Sequence, residues 1–187
     1  MSFAHSRPKL LLDACVLFPT ILREILIGAA AEGLYQPLWS ARILEEWARA
    51  TRKLGPGAED HARAEIALLR ASWPAAEVAP SPHIAARLVL PDENDLHVLA
   101  AAIHAGAEAI ITVNAADFPK GVLASEGLER RDPDGLLWEM ASHHPQEMAR
   151  VLETVRAKAE AISGEPQALK PLLKRARLGR LSRLMAG

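Results

Sequence analysis

The sequence predicts an α/β domain organised on a central parallel sheet, and three observations lead there. Apolar runs without polar alternation, at Lys9–Cys15 (KLLLDAC) and Ala109–Val113 (AIITV), suit strands buried on both faces. Segments with helical spacing separate such runs, giving the strand–helix alternation of right-handed crossovers. Polar residues close the runs, Asp13 near the end of the first and Asn114 directly after the other. Ligands of open parallel sheets gather at the carboxyl ends of the strands, so both residues lie where function is expected.

The elements follow in order. After the first strand, Pro19 marks the first turn of a helix (ILREILIGAAAE) that Gly33 ends. Leu34–Trp39 reads as a second strand, and Ser40 is a good N-cap for ARILEEWARATRKL, which Gly55, Pro56 and Gly57 break. Glu59–Trp73 carries Ile66, Leu69 and Trp73 along one side of a helix that Pro74 ends. A short strand at Glu77–Ala79 and a helical turn over His83–Leu90 come next. A helix over Glu93–His104, a stop at Gly106 and the strand Ala109–Val113 form the most strongly patterned unit. A further short strand is expected near Leu128–Arg131, a helix over Pro133–Ser142 and another over Gln146–Ile162. The tail from Leu169 to Gly187 holds Lys170, Lys174, Arg175, Arg177, Arg180 and Arg183, no acid, and a leucine-rich side, so it is basic and amphipathic. It reads first as a segment packing its leucines on the domain or a partner, and second as a contact to nucleic-acid phosphates.

At 187 residues the chain fits one domain with an appendage, taken as residues 1–142 and a helical C-terminal extension over 143–187. A formal net charge of −1 gives no global argument for nucleic acid, and an aromatic fraction of 4% weakens base-stacking platforms. Cys15 is the single cysteine, which suits a reducing compartment. The start MSFAHSRPK lacks the apolar core of a signal peptide and no stretch is long enough to span a bilayer, so a cytoplasmic, non-membrane protein is expected.

The carboxylates carry the chemistry. Asp13 sits among Leu10, Leu11, Leu12 and Val16, where burial is costly without compensation; capping of the following loop is the competing reading. Glu45 and Glu46 flank the buried stripe of Ile43, Leu44, Trp47 and Ala48 about equally, and ion pairs with Arg42 and Arg49 compete with a functional role for both. Asp92 suits an N-cap, with Asp95 reaching back in an approximate capping box, yet Asp95 also shares a face with Leu99 and Ala102 and so looks towards the core. Asn114 and Asp117 lie in VNAADFP, where a plain turn competes. Collected in one cleft, such acids raise one another's pKa and call for a divalent cation; all-oxygen ligation suits Mg²⁺ or Mn²⁺. Cys15 and the seven histidines show no zinc spacing, and His97 and His104 read as packing residues.

Three segments, LLLDACV, SARILEEW and DENDLHVLAAAIHAGAEAIITVNAADFP, together resemble the PIN-domain family, metal-dependent nucleases that include the VapC toxins of toxin–antitoxin pairs. The resemblance implies a three-layer α/β/α PIN-like fold and a Mg²⁺- or Mn²⁺-dependent endoribonuclease. It places Asp13 first in the acid set, Glu46 second because a large apolar residue, Trp47, follows it, and Asp95 third with Asp92 as a neighbour. The fourth position falls on Asn114 or Asp117; Asn114 is neutral where many members carry an acid, so the ligand is Asp117 directly or Asn114 through water. By the same resemblance Asp13, Asp95 and Asp117 hold metal, and Glu46 ligates it or orients the attacking water. The implied partners are an RNA substrate and a small antitoxin protein, with a homodimer also compatible.

Rival readings are weaker. A haloacid-dehalogenase-type phosphatase needs Asp-x-Asp after strand one, against Asp13-Ala14-Cys15 here, and the acid and lysine pattern of a phosphorelay receiver is missing. The serious alternative is a non-catalytic RNA- or protein-binding module of the same fold.

Overall fold

The computed structural model describes residues 7–185; the first six residues of the start segment and the last two of the basic tail lie outside them. Strands β1 (Lys9–Leu12), β2 (Gln36–Leu38), β3 (Ala109–Ile111) and β4 (Glu129–Arg131) form one all-parallel sheet in the order β2-β1-β3-β4, and with its helices this is the three-layer α/β/α class expected. β1 pairs on both sides, Leu11 opposite Leu38 of β2 and opposite Ile110 of β3. Leu11, Leu12, Ile110 and Ile111 are fully buried, which is why these runs show no alternation. Pro37 cannot donate to a ladder and sits on β2, at the end of the strand order. The chain leaves β1 towards β2 on one side and later enters β3 on the other. The resulting switch point lies at the carboxyl ends of β1 and β3.

The chain divides into two compact units: Met1–Phe18 with Tyr35–Arg130, and Pro19–Leu34 with Arg131–Gly187. In the first, β1 runs into α1 (Ala14–Leu17), and β2 leads to α3 (Ala41–Ala50), whose N-cap Ser40 accepts a 3.2 Å hydrogen bond from the Ile43 amide. A 3-10 turn at Thr51–Leu54, α4 (Ala58–Ser72) and α5 (Pro82–Arg87) follow. Helix α6 (Leu96–Ala105) is buried from His97 to Ala102, and Gly106 closes it at φ 65° in the left-handed region that glycine adopts freely. Tyr35, Trp39, Trp47 and Phe118 fill the core.

Some expectations are corrected. Glu93–Asp95 is a 3-10 turn ahead of α6 rather than its first helical turn. The strand expected at Glu77–Ala79 is a single bridge between Trp39 and Glu77. Helix α7 (Lys120–Ser125) was not expected, because six residues are too few to display a helical period.

The second unit is helical: α2 (Thr20–Ala31), α8 (Pro133–His143), α9 (Pro145–Ser163), α10 (Leu169–Arg175) and α11 (Gly179–Leu184). The 142/143 boundary taken from the sequence falls within the last residues of α8. Helices α2 and α9 meet closely, since a Cβ on Gly28 would stand 2.7 Å from Val151 Cγ1, and ion pairs of Glu24 with Lys158 and Glu32 with Arg150 flank the contact. The basic tail is two short helices rather than one, broken at Arg177, which takes φ 60°. Leu172, Leu173, Leu178 and Leu181 are buried while the six basic residues of the tail stay exposed, so the amphipathic pattern is spent on packing within this unit. Among the described residues no helix is long and apolar enough to cross a membrane.

Candidate active site

Asp13 follows β1 at the switch point and is buried, 4% exposed. Both carboxylate oxygens are anchored. The Ala14 amide donates to Oδ1 at 2.8 Å, while Thr112 Oγ1 (2.8 Å) and Cys15 Sγ (3.2 Å) donate to Oδ2. The capping role weighed against function is therefore present, through the Ala14 bond, beside two side-chain donors that a plain cap does not need. Burial raises the Asp13 pKa; the bonds from Thr112, Cys15 and Ala14 oppose the rise, and the charge of Glu46 adds to it. The Cys15 thiol is itself pushed up to about 12, by burial and by the charge of Asp13, so it is a neutral donor rather than a nucleophile.

Asp95 lies at the N-terminal end of α6. Its side chain makes no capping bond, so the expected capping box is corrected; Asp92 alone caps, accepting from the Asn94 amide at 2.9 Å. Asp95 is partly buried, and burial, then the charges of Asp13, Asp117, Asp92 and Glu46, push its carboxyl up to about 6. Four other carboxylates thus lie within electrostatic reach of Asp95. They come from the β1 end, the β3 end, α3 and the turn before α6. The switch point gathers into one neighbourhood acids that are remote in sequence.

The two glutamates of α3 separate. Glu45 is taken up in a surface network, bonded by Arg49 at 2.7 Å and by Arg63 at 2.7 and 3.0 Å, and these bonds hold its carboxyl down to about 2. Glu46 instead acts on Asp13 and Asp95. Its Oε1 lies 3.3 Å from Arg42 Nε on one side and 2.7 Å from the buried His97 Nε2 on the other. Asn114 and Asp117 separate too. The loop after β3 is held by the fully buried Phe118 and by Arg130 Nη1, which donates to the carbonyls of Ala115 (2.6 Å) and Phe118 (2.9 Å). Asn114 is exposed, and its backbone N–H donates to Thr112 Oγ1 at 3.0 Å, whereas the charge of Asp117 reaches Asp95.

Residues 9–116, more than half of the chain, match the PIN domain. The chain belongs to the PIN-domain family. PIN domains are generally nucleases, hence hydrolases, and typically depend on a divalent metal. The matched span of this PIN domain contains Asp13, Glu46, Asp92, Asp95 and Asn114, and it stops one residue before Asp117. Neither the curated proteins nor the solved structures give a match.

The carboxylates of this PIN domain fit a divalent cation in charge and donor chemistry. They are hard oxygen donors whose mutual repulsion a cation would relieve, as the raised Asp95 carboxyl records. As they stand, among the described residues, no three His, Cys, Asp or Glu side chains are drawn together closely enough to hold an ion. Sequence reasoning missed two partners of the acids. Thr112 was legible in principle: with Leu12 opposite Ile111 in the ladder, Asp13 and Thr112 are the next residues along the two strands. His97 was read only as a packing residue and stands against Glu46.

Proposed function

We propose that this PIN domain is a Mg²⁺- or Mn²⁺-dependent endoribonuclease and the toxin of a toxin–antitoxin pair. The observation that carries the catalytic part is the Asp95 carboxyl, raised to about 6 among Asp13, Asp117, Asp92 and Glu46 at the switch point of a nuclease-type fold. Asp13, Asp95 and Asp117 are the residues that would hold the metal. Glu46 would join them or orient the attacking water, and Asn114 would take part through water. A bound divalent ion supplies a lowered water pKa and neutralises charge on the scissile phosphate. The chain's own part is to present the acids: three donors hold Asp13 in one orientation, and Arg130 pins the backbone of the loop that carries Asp117. The toxin role and a small antitoxin partner rest on the likeness of LLLDACV, SARILEEW and the long third segment to VapC toxins. A reducing cytoplasm suits the lone Cys15.

The test is cleavage of a mixed RNA panel with Mn²⁺, with and without EDTA, by wild type and Asp13→Asn. Cleavage that EDTA and Asp13→Asn both abolish supports the reading. It would be falsified if folded protein cut no RNA and bound no Mn²⁺ by calorimetry. Metal binding without cleavage, together with tight RNA binding, would favour the non-catalytic module instead. For the toxin role, induced expression is expected to arrest growth in wild type but not in Asp13→Asn.

A further inference from the structure

His97 is 6% exposed in the first turn of α6, and neither of its ring nitrogens has a hydrogen-bond partner. A buried polar group left without a partner is destabilising, a cost that an apolar side chain of similar size would avoid. The placement of the ring gives the reason for tolerating that cost. Nε2 lies 2.7 Å from Glu46 Oε1, at hydrogen-bond distance but off the bonding direction. Glu46 is 37% exposed, and its other neighbour is the exposed Arg42, 3.3 Å away. The glutamate therefore stands between a surface cation, which would draw it outward, and a buried imidazole on the same segment as Asp95.

We propose that His97 is a positioning residue: a small turn of the ring or of the carboxylate brings the Nε2–H, already 2.7 Å from Glu46 Oε1, into line to donate, and that bond keeps Glu46 turned inward among the acids of the site. This rests on the nuclease reading above, and His97 acts through Glu46 without touching metal or RNA. It requires the tautomer protonated on Nε2, with Nδ1 unprotonated inside the fold. Partners of this kind around a metal site are worth roughly 10- to 100-fold in metal affinity when removed.

The experiment compares wild type, His97→Phe, His97→Gln, Glu46→Gln and the double variant His97→Phe/Glu46→Gln. Mn²⁺ affinity is read by calorimetry, kcat and KM on one cleaved RNA, and melting temperature in EDTA. His97→Phe keeps the ring volume and loses the donor. It is expected to weaken Mn²⁺ binding roughly 10- to 100-fold and to lower kcat with KM little changed. His97→Gln, whose amide can still donate, recovers part of both. In the Glu46→Gln background, His97→Phe should add no further loss, because the residue it positions is already altered. Wild-type Mn²⁺ affinity and kcat in a folded His97→Phe would overturn the proposal alone, as would losses that multiply in full in the double variant. A wild type that neither binds Mn²⁺ nor cuts RNA would overturn the nuclease reading and this proposal together. Should His97→Phe fail to fold, the double variant gives way to His97→Gln/Glu46→Gln, and additive losses there count against the proposal in the same way.

Discussion

Replacing Asp95 by Asn is expected to stabilise the metal-free protein while removing its response to metal. The Asp95 carboxyl stands at about 6 instead of the ordinary 3.8, so at pH 7.5 the fold carries an ionised group it disfavours. At about 1.4 kcal/mol per tenfold change in proton affinity, that rise corresponds to roughly 3 kcal/mol. Asp95 is only partly buried, and screening by solvent reduces the figure to ~1–2 kcal/mol. The sign follows from linkage. The folded-state pKa is raised, so the folded protein takes up a proton before the unfolded chain does. The penalty is complete above pH 6, is relieved as pH falls through the folded value, and is gone below the unfolded value near 4. Buried Asp13, also raised, acts in the same direction.

The assay is thermal unfolding in EDTA from pH 7.5 to 4.5. Wild type should gain stability on going from pH 7.5 to about 5. Asp95→Asn should melt roughly 2–8 °C higher at pH 7.5, at the ~2–4 °C per kcal/mol typical of a chain this size, and should depend less on pH. Saturating Mn²⁺ at pH 7.5 should then raise the wild-type melting temperature, by ~2.7 kcal/mol of stabilisation at one hundred times Kd, and leave the variant unmoved. A less stable Asp95→Asn at pH 7.5 in EDTA, or a wild type that loses stability between pH 7.5 and 5.5, would refute the electrostatic argument.

Three further outcomes follow from the same geometry. Glu45→Gln should leave Mn²⁺ affinity and RNA cleavage within about two-fold of wild type, whereas Glu46→Gln should lower kcat roughly 10²- to 10³-fold, on the scale of losing one group that stabilises the reacting charge; equal losses would mean that the Arg49–Glu45–Arg63 network belongs to the site. Thr112→Val removes a 2.8 Å donor from the buried Asp13, so it should cost ~1–3 kcal/mol in the metal-free protein at neutral pH and weaken Mn²⁺ binding about ten-fold, both measurable by melting and calorimetry. Gly28→Ala places a Cβ 2.7 Å from Val151 Cγ1, and should lower stability by about 1 kcal/mol despite alanine's better helix propensity; in a Val151→Ala background the same change should be neutral or stabilising.

Much of this arrangement could be read from the chain because local signals and tertiary demands agree. KLLLDAC and AIITV each hold a strand whose apolar residues, Leu10–Leu12 and Ala109–Ile111, are buried ahead of a polar closure, and Ser40 and Gly106 punctuate helices where their backbone chemistry predicts. The less legible features depend on partners remote in sequence. Glu45 and Glu46 flank one buried stripe about equally, and only Arg63, on α4, reveals which of them the surface claims. Asn114 and Asp117 are both good turn residues, and it is the anchoring of the loop by Phe118 and Arg130 that sends Asp117 towards Asp95. The tail showed its leucine-rich side plainly, yet not the break at Arg177 that folds it into two helices.

The acids differ in how firmly they are held, and that difference bears on how the site works. Asp13 is bonded at both oxygens by groups on the β1 and β3 ends, so its orientation is set by the sheet itself. Asp95 makes no capping bond and is opposed by four like charges, and Glu46 stands between Arg42 and His97. Asp13 is thus built into the strand ends, whereas Asp95, at the start of α6, makes no capping bond that would fix it. Like charges held rigidly at ligating distance would cost the empty fold several kcal/mol. Leaving Asp95 without a capping bond lowers that cost and postpones its approach to the other acids to the moment a cation can offset it. That accounts for a set of carboxylates close enough to shift one another's protonation, yet with no three of them drawn together.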